Sequence, residues 1–487
     1  MNDNLPLDVS KKLTSNVPIL LYSTTDDECD IVKFSNLGRL PHVKDPIILL
    51  PDIHHKHLLE TPSSSVIVTH YQFSLALTSP SQNCGMSLIL TPLFEEDMSP
   101  LFIERFMSEI KTAIPLKYQS PILSKDEVFQ TLKRGANWAV EKFGLSEDII
   151  NYIENKGNLL VKNALSVSDI EKAIPYEIID LARYRFGIIG GGNHFLEVQV
   201  VDEIIDDTIA KAWGLKQSQI VIMFHTGSDV LGAYLGRLYA YRRKTNFLQQ
   251  LQFYRKKIRY HLIDAQLKSI GKRLSYYFVP KPFRFIDPDI QEGKRALLAV
   301  NCAANFGFAN RVAIFSSIRR ILKQISRNND LEIRLLYDCS HNSIYRENLN
   351  GNTVWAHRHN ACRVYPPSLL QSHPIFSVTG QPVILPGTNQ TSSFICAGRE
   401  GAVATHFTVD HGLGAIQRRY ENHGSSRKTG EYSSLFNYEK DAPEKIPKLN
   451  DTAVNGAVEI LKQANIIGPV ARLKPLATLK GPKPKIV

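Results

Sequence analysis

Four histidines share one sequence context, an apolar segment predicted as a strand beside a short turn rich in Gly, Ser or Asn. They are His194 in GGGNHFLE, His225 in FHTGS, His341 in YDCSHNS and His411 in VDHGLG, and Cys84 in QNCGM occupies a similar turn. A single histidine after a strand is usually structural. Four such histidines and a cysteine indicate a metal site, because imidazole and thiolate together suit Mn²⁺, Zn²⁺ or Fe²⁺.

Other metal and nucleotide motifs are absent from the sequence or weak in it. HExxH and paired CxxC do not occur, which disfavours a zinc protease or a zinc ribbon. GGGNHF is not a dinucleotide fingerprint, because its glycines precede a strand-like FLEVQVV and not a helix. The PGTNQTSS segment (386–393) offers N–H and hydroxyl groups that suit a phosphate, although an ordinary turn is the alternative. Asp52 and His54 in LPDIHHK are candidates for orienting metal ligands, with a capped loop as the alternative.

The elements that must position these residues follow from hydrophobic periodicity and from turn residues. Strand segments are predicted at 46–57, 63–77, 187–203, 219–229, 332–344, 381–387, 392–398 and 401–412. Helices are predicted at 101–114, 125–144, 147–155, 235–275, 295–325 and 452–465, while 430–450 is predicted to be loop-rich and 479–487 an exposed end. The candidate residues lie at strand ends throughout the chain, which favours one interwoven α+β domain.

The positive charge of the chain is concentrated in one segment. The 487 residues carry 58 Lys+Arg and 47 Asp+Glu, a formal charge of +11, but Arg237–Arg284 alone contains thirteen basic residues and one acid. Aromatic residues interleave with the basic ones, a combination that suits phosphate neutralisation and base stacking in RNA. The alternative is a solvated helical hairpin with inward aromatics, which is favoured by the helical spacing of Leu248, Leu251, Tyr254 and Ile258.

Composition excludes several classes of protein. Hydrophobic residues make up 43% and charged residues 22%, which is ordinary for a globular protein and excludes a disordered or collagen-like chain. No run approaches the ~18 apolar residues of a membrane span, and the N-terminal residues lack a secretory pattern. The six scattered cysteines do not form a disulfide framework. We therefore expect a cytoplasmic protein without membrane association.

Ten motifs together resemble one known family, the RtcB-type RNA-splicing ligases. In the order of the family they are LPDIH, NCGM, GGGNHFLEVQ, HTGS, NCAANFGFANR, DCSHN, HRHNACR, PVILPGT, DHGLG and LKPLATLKG, and they cover about residues 45–481. The resemblance implies an α+β fold with mixed and antiparallel sheets flanked by helices around a central metal cleft. It implies one ligase domain over residues 1–481, which includes the basic segment 237–284, followed by a short basic tail at 482–487.

The resemblance also implies the chemistry and the roles of individual residues. The family joins RNA 3′-phosphate or 2′,3′-cyclic phosphate ends to 5′-hydroxyl ends, in tRNA splicing or RNA repair, and uses GTP and two Mn²⁺ ions. RNA (tRNA fragments among them) and GTP are the implied partners, while an activating protein is not specified. His411 falls on the guanylylated histidine, and the implied metal ligands are Cys84, His194, His225 and His341. The implied nucleotide-binding residues are Asn193, Phe195, Glu197, Gly387 and Lys480, and the residues expected to bind RNA or phosphate are Arg358, Arg363 and Arg419.

Several positions depart from the family pattern, mainly where the family binds phosphate. Ser81 replaces a metal-binding Asp, Asp229 and Ala415 each replace an Arg, His359 replaces a Lys, and Ile446 replaces a Tyr. An acid in place of an arginine reverses the charge where a phosphate is expected. We therefore expect a divergent ligase with one weakened metal site. A metal-dependent nucleotidyl transferase or phosphatase acting on another end, and a non-catalytic RNA-binding protein, are the alternatives.

Overall fold

A computed structural model describes residues 17–23, 31–56, 59–160, 165–240, 247–263, 267–279, 281 and 283–482. The described residues form sixteen strands and thirteen α-helices. The strands are β1 Ile19–Leu21, β2 Ile47–His54, β3 Ser63–His70, β4 Gly85–Phe94, β5 Phe195–Ile204, β6 Gln219–Thr226, β7 Arg334–Ser340, β8 Asn342–Leu349, β9 Asn352–His359, β10 Ala361–Arg363, β11 Pro382–Leu385, β12 Ser393–Gly398, β13 Thr408–Asp410, β14 Lys428–Asn437, β15 Glu444–Leu449 and β16 Ile467–Lys480.

The helices lie between these strands, the longest of them in the second half of the chain. They are α1 Pro100–Ala113, α2 Lys125–Arg134, α3 Ala136–Lys142, α4 Val167–Ala173, α5 Tyr176–Ala182, α6 Asp207–Trp213, α7 Asp229–Leu238, α8 Phe247–Ile258, α9 Leu267–Tyr277, α10 Gln291–Ile325, α11 Phe376–Thr379, α12 Gly414–Asn422 and α13 Thr452–Gln463. Capping boxes begin α2 at Ser124 and α4 at Ser166. In each, the serine hydroxyl accepts the backbone N–H of the acid three residues later, and the side chain of that acid accepts the backbone N–H of the serine. The mixture of helices with separate sheets confirms the predicted α+β fold class.

The largest sheet brings together the strands that carry the candidate metal ligands. Its order is β11-β12-β16-β5-β6-β4-β7, and β14 and β15 extend it beside β16. β4 runs antiparallel to both β6 and β7, so that Gly85 lies opposite Thr226 on one side and Ser340 on the other. β5 is antiparallel to β6, with Phe195 opposite His225. Because antiparallel neighbours place the start of one strand beside the end of the next, all four candidate ligands meet at one end of the sheet.

A second sheet and a short strand pair bring His411 to the same place. The second sheet has the order β1-β2-β3-β9-β8, and β10 pairs separately with β13. Ala361 is opposite Asp410 in this pair, and the backbone N–H of Ala361 donates to the carbonyl of His341. The segment after β13 therefore lies directly beside the end of β7.

The 35-residue helix α10 is the main helical element of the core. It packs against α1, α2, α3 and α7, and its buried side chains include Phe306, Phe308 and Ile314. By length and apolar composition it is the only helix of the described residues that meets the requirements of a membrane span, but 83% of its most apolar window is buried inside the protein. This burial is typical of a core helix of a folded domain.

Most predicted elements are present, but three are wrong. Residues 401–412 are mainly a 3-10 helix (Glu400–Thr405), and only β13 is a strand. Residues 430–450, predicted to be loop-rich, contain most of β14 and all of β15. The predicted exposed end begins inside β16, which hydrogen-bonds to both β12 and β5 and is therefore interior to the sheet. The extent of the domain, residues 1–481, stays a prediction.

Candidate active site

The cysteine and three of the histidines converge on one buried point. The Cys84 Sγ lies 3.1 Å from the Nε2 of His194 and 3.1 Å from the Nε2 of His225, and the Nε2 atoms of His225 and His341 are 2.8 Å apart. Ligand atoms of Cys84, His225 and His341 all lie within 4.8 Å of one another. One thiolate and several imidazoles directed at one point are a suitable donor set for a borderline transition metal.

The orientation of His194 is set by the glycine turn before it. Its Nδ1 donates to the carbonyl of Ile189 at 2.7 Å, which leaves Nε2 directed at Cys84. Gly190 lies in this turn at φ +86°, and a Cβ there would be 2.9 Å from the His194 ring nitrogen. Glycine is therefore required at position 190, for its backbone conformation and for the space that the ring occupies.

Burial controls the protonation of these imidazoles. Burial holds the pKa of His225 and of His341 well below the ordinary value, and the neighbouring positive groups act in the same direction. Burial also lowers the pKa of His194, but the charge and hydrogen bond of Cys84 raise it to about 9. Metal binding at His194 therefore competes with a proton, whereas His225 and His341 are already in the neutral form that binds metals.

His411 lies beside this cluster. Its ring stacks on that of His341, with centroids 3.8 Å apart and an interplanar angle of 11°, and lies 5.4 Å from the ring of His225. Burial, together with the charges of Lys56 and His54, lowers the pKa of His411 to about 3. The buried Nδ1 has no hydrogen-bond partner among the described residues. His411 is thus a neutral imidazole, which can act as a nucleophile.

Asp52 holds the backbone that follows His411. Its Oδ1 accepts the N–H groups of Ala415 and Ile416, both at 2.7 Å, in the first turn of α12. A carboxylate at a helix N-terminus is stabilised by the free N–H groups and by the helix dipole. Asp52 therefore positions the His411 loop, which is the capping alternative considered for it from sequence and not the orientation of a metal ligand.

A fully buried arginine connects the segments that carry the ligands. Arg311 of α10 forms a two-bond ion pair with Asp338, with N–O distances of 2.7 and 2.8 Å. It also donates to the carbonyl of Asn83 at 2.9 Å, to its Oδ1 at 3.1 Å and to the carbonyl of Thr226 at 3.3 Å. Asn83 precedes Cys84, Thr226 follows His225, and Asp338 lies three residues before His341. One side chain thus fixes three ligand-bearing segments. The sequence did not reveal this role, although Arg311 is the last residue of the motif NCAANFGFANR.

Comparison with known proteins identifies the family. The model of the family described as tRNA-splicing ligase RtcB matches residues 33–481. This chain belongs to the RtcB family. The tRNA-splicing ligase RtcB of Pyrococcus furiosus is 31% identical over 430 residues, which cover 82% of this chain but 40% of that relative. The protein of the same name from Methanococcus maripaludis is 29% identical, over 92% of this chain and 91% of that relative. The one from Nanoarchaeum equitans is 26% identical, over 97% of each chain.

A polar cavity of about 610 Å³ adjoins the His/Cys cluster of this RtcB family member. All the nucleotide-binding residues expected from the resemblance line it: Asn193, Phe195, Glu197, Gly387 and Lys480. Glu197 accepts hydrogen bonds from Thr478, at 2.5 Å, and from Gln199, and burial raises its pKa to about 7. The cavity thus brings the proposed nucleotide-binding residues, the cluster and His411 together.

The arginines expected to bind RNA or phosphate are not among the residues that line this cavity, and their role in RNA binding stays a prediction. Arg358 is fully buried and forms a two-bond ion pair with Glu347, both at 2.8 Å, and Arg363 lies 3.7 Å from the same carboxylate. Arg419 donates to the carbonyls of Ile53 and Pro51. All three act within the fold, whereas the neighbouring Arg418 lines the cavity.

The positions that depart from the family pattern have defined surroundings. Ser81 and Ala415 line the cavity, and Asp229 lines it while forming an ion pair with Arg185 at 2.7 Å. His359 Nδ1 lies 2.9 Å from the Thr61 hydroxyl. Ile446 is buried in β15. Asp229 therefore places a negative charge at the cavity wall, although Arg185 partly compensates for it.

Proposed function

We propose that this protein is an RNA ligase that joins a 3′-phosphate or 2′,3′-cyclic phosphate end to a 5′-hydroxyl end, with GTP as co-substrate and Mn²⁺ as its metal. The observation that carries the proposal is the neutral His411 at the wall of the cavity, stacked on His341 of the His/Cys cluster. Membership of the RtcB family supports RNA ligation. The family, the thiolate and the imidazole donors support a transition metal at the cluster.

The chemistry assigns a separate task to each group. Cys84, His194, His225 and His341 would hold the metal, which when bound offsets negative charge on phosphate oxygens. An imidazole nitrogen of His411 attacks the α-phosphorus of GTP, so that an N–P bond forms and the P–O bond to pyrophosphate breaks. An RNA 3′-phosphate oxygen then displaces His411 from the GMP. The 5′-hydroxyl attacks the activated 3′-phosphate and expels GMP.

Labelling with GTP tests the first step. Protein incubated with Mn²⁺ and GTP labelled at the α-phosphate should form an acid-labile covalent adduct, and His411→Ala should abolish it. His423→Ala is the matched control, because His423 is exposed at the C-terminal end of the same helix, α12. Failure of the parent protein to form the adduct, or persistence of the adduct in His411→Ala, would refute the mechanism.

Asp229 is the observation that favours a second candidate, a nucleotidyl transferase or phosphatase that acts on another end. Its carboxylate at the cavity wall repels a phosphate that an arginine would bind. The second candidate predicts the His411 adduct without joining of 3′-phosphate and 5′-hydroxyl RNA. A non-catalytic RNA-binding protein would instead bind RNA without metal and without His411.

We further propose that α8 forms part of the RNA path. Lys256 lies 5.9 Å above the ring of Tyr234 in α7, and the first turn of α7 lines the cavity. Arg255, Lys256 and Arg259 are exposed, and the described residues contain no acidic partner within salt-bridge distance of the first two. Exposed cations next to the cavity suit the phosphates of an RNA strand that enters it. Arg242 and Arg243 of the same basic segment lie outside the described residues.

The aromatic side chains that the structure describes in this segment are buried or partly buried, as the helical-hairpin alternative predicts, but the predicted apolar stripe is wrong. Leu251 and Ile258 are 50% and 41% exposed, whereas Lys257 is buried. The Lys257 ammonium donates to the carbonyls of Ala240, at 2.9 Å, and Arg237 at the end of α7. These bonds to carbonyls at the C-terminal end of α7 hold Lys257 inward, while Leu251 and Ile258 face solvent.

A further inference from the structure

Lys56 is a cation in the cavity wall that the sequence motifs do not assign. It lies two residues after the end of β2, is half-buried and lines the same cavity as His411 and Cys84. Burial lowers the pKa of His411, of His225 and of His341, and the nearby charge of Lys56 acts in the same direction. Lys56 therefore belongs to the reaction cavity and not to the outer surface.

The ammonium of Lys56 has no hydrogen-bond or ion-pair partner in the part of the chain that the structure describes. The neighbouring acid, Asp52, is fully engaged at Oδ1 by the N–H groups that begin α12. Most lysines that are removed from water are paired with an acid, since an unpaired desolvated charge is costly. A Lys56 without such a pair indicates that its anion is a ligand.

A second cation faces the same space. Arg418 lines the cavity, and its Nε donates to the carbonyl of Gly414 in its own helix at 3.2 Å. Burial lowers the pKa of Lys56 to about 8, the charges of Cys84 and Asp52 act against this, and the charge of Arg418 acts in the same direction as burial. Two cations that face one cavity, neither of them in a salt bridge with a described residue, are stabilised by an anionic ligand such as a phosphate chain.

We propose that Lys56 is a catalytic residue that donates a hydrogen bond to a non-bridging oxygen of the phosphoryl group attacked by His411. The proposal rests on the proposed function, since it specifies how the same site holds its phosphate. As the N–P bond forms and pyrophosphate leaves, Lys56 keeps its proton and acts as a fixed positive charge next to the phosphoryl oxygens. Lys56 and Asp229 line the same cavity, so Lys56 adds a positive charge to a wall in which Asp229 stands where an arginine is expected.

Three substitutions test this role. Lys56→Gln and Lys56→Ala should slow formation of the His411 adduct about 100-fold at saturating GTP, as expected for loss of one preorganised donor to phosphoryl oxygens. Lys56→Arg should restore the rate to within about tenfold, because it restores the charge but not the shape. Lys44→Gln is the matched control, since Lys44 is exposed just before β2. An unchanged adduct rate in Lys56→Gln would overturn the proposal.

Anion binding without metal separates this proposal from the proposed function. Inorganic tripolyphosphate, titrated calorimetrically into protein kept in a metal chelator, should bind about tenfold more weakly to Lys56→Gln than to the parent protein. If the parent protein forms no adduct but its tripolyphosphate affinity depends on Lys56, the ligase mechanism fails while the phosphate site stands. If Lys56→Gln binds tripolyphosphate normally, or loses Mn²⁺ and thermal stability together, Lys56 supports the fold or the metal instead and the proposal is overturned.

Discussion

Replacement of Arg311 by Met should destabilise both the fold and the metal site. The side chain is fully buried, and its five hydrogen bonds go to Asp338, Asn83 and Thr226. Arg311→Met leaves the Asp338 carboxylate in the interior, where the Ser87 hydroxyl is the one remaining donor to it among the described residues. Removal of one partner of a buried ion pair costs about 3–5 kcal/mol of unfolding free energy. Mn²⁺ affinity should fall about 10- to 100-fold, because the ligand-bearing segments lose their common support.

Urea unfolding in a metal chelator measures the first effect, and Mn²⁺ titration measures the second. Arg320→Met is the matched control, since Arg320 is exposed in the same helix and should change the unfolding free energy by less than about 0.5 kcal/mol. The unfolding free energy of Arg311→Lys should lie between those of the parent protein and Arg311→Met, because lysine keeps the charge but cannot form the two-bond ion pair. The double variant with Asp338→Asn should be more stable than the sum of the two single effects predicts. An Arg311→Met protein as stable as the control would refute this reasoning.

Three further predictions concern the RNA path, the cavity and the metal. Changing Arg255 and Lys256 to Glu should lower RNA affinity and flatten its salt dependence. Lys462→Glu, at an exposed position of α13, should do neither, and equal effects of the two changes would exclude α8 from the RNA path. Glu197 has its pKa raised to about 7, so it contributes stability below pH 4.5 that is lost as pH rises through 7. Urea unfolding in a chelator should therefore show that the unfolding free energy of Glu197→Gln, relative to that of the parent protein, rises by up to about 3 kcal/mol between pH 4.5 and pH 8. A difference that does not change with pH would contradict the raised pKa of Glu197. Mn²⁺ added to chelator-treated protein should raise the melting temperature, whereas Mg²⁺ should raise it little. Cys84→Ser should remove most of the rise that Mn²⁺ causes. A Cys84→Ser protein that keeps the full rise would exclude the thiolate as a ligand.

The convergence of Cys84, His194, His225 and His341 could be anticipated from sequence, because each lies at the end of an apolar strand. Antiparallel pairing makes strand ends meet, and polar residues at those ends then face one space. The order of the strands could not be read in this way. It depends on contacts between residues far apart in sequence, such as β16 with β5, which no local pattern encodes.

The failures have physical causes of the same kind. The sequence could not show that Arg358 and Arg363 pair with Glu347 inside the fold, because charge alone does not reveal a buried partner. β14 and β15 lack the apolar alternation of a strand because much of their length is exposed, so their residues resemble a loop. Lys56 follows two histidines in a polar turn, and only the structure shows that it faces the cavity.

The central position of β16 has a consequence for the timing of folding during synthesis. This strand is the last in the described part of the chain, yet it joins β12 to β5, and β14 pairs with it as well. Until residues 467–480 leave the ribosome, the nascent chain holds two incomplete half-sheets whose open edges can pair with other chains. The open edges would therefore need protection by a chaperone until translation of β16 is complete.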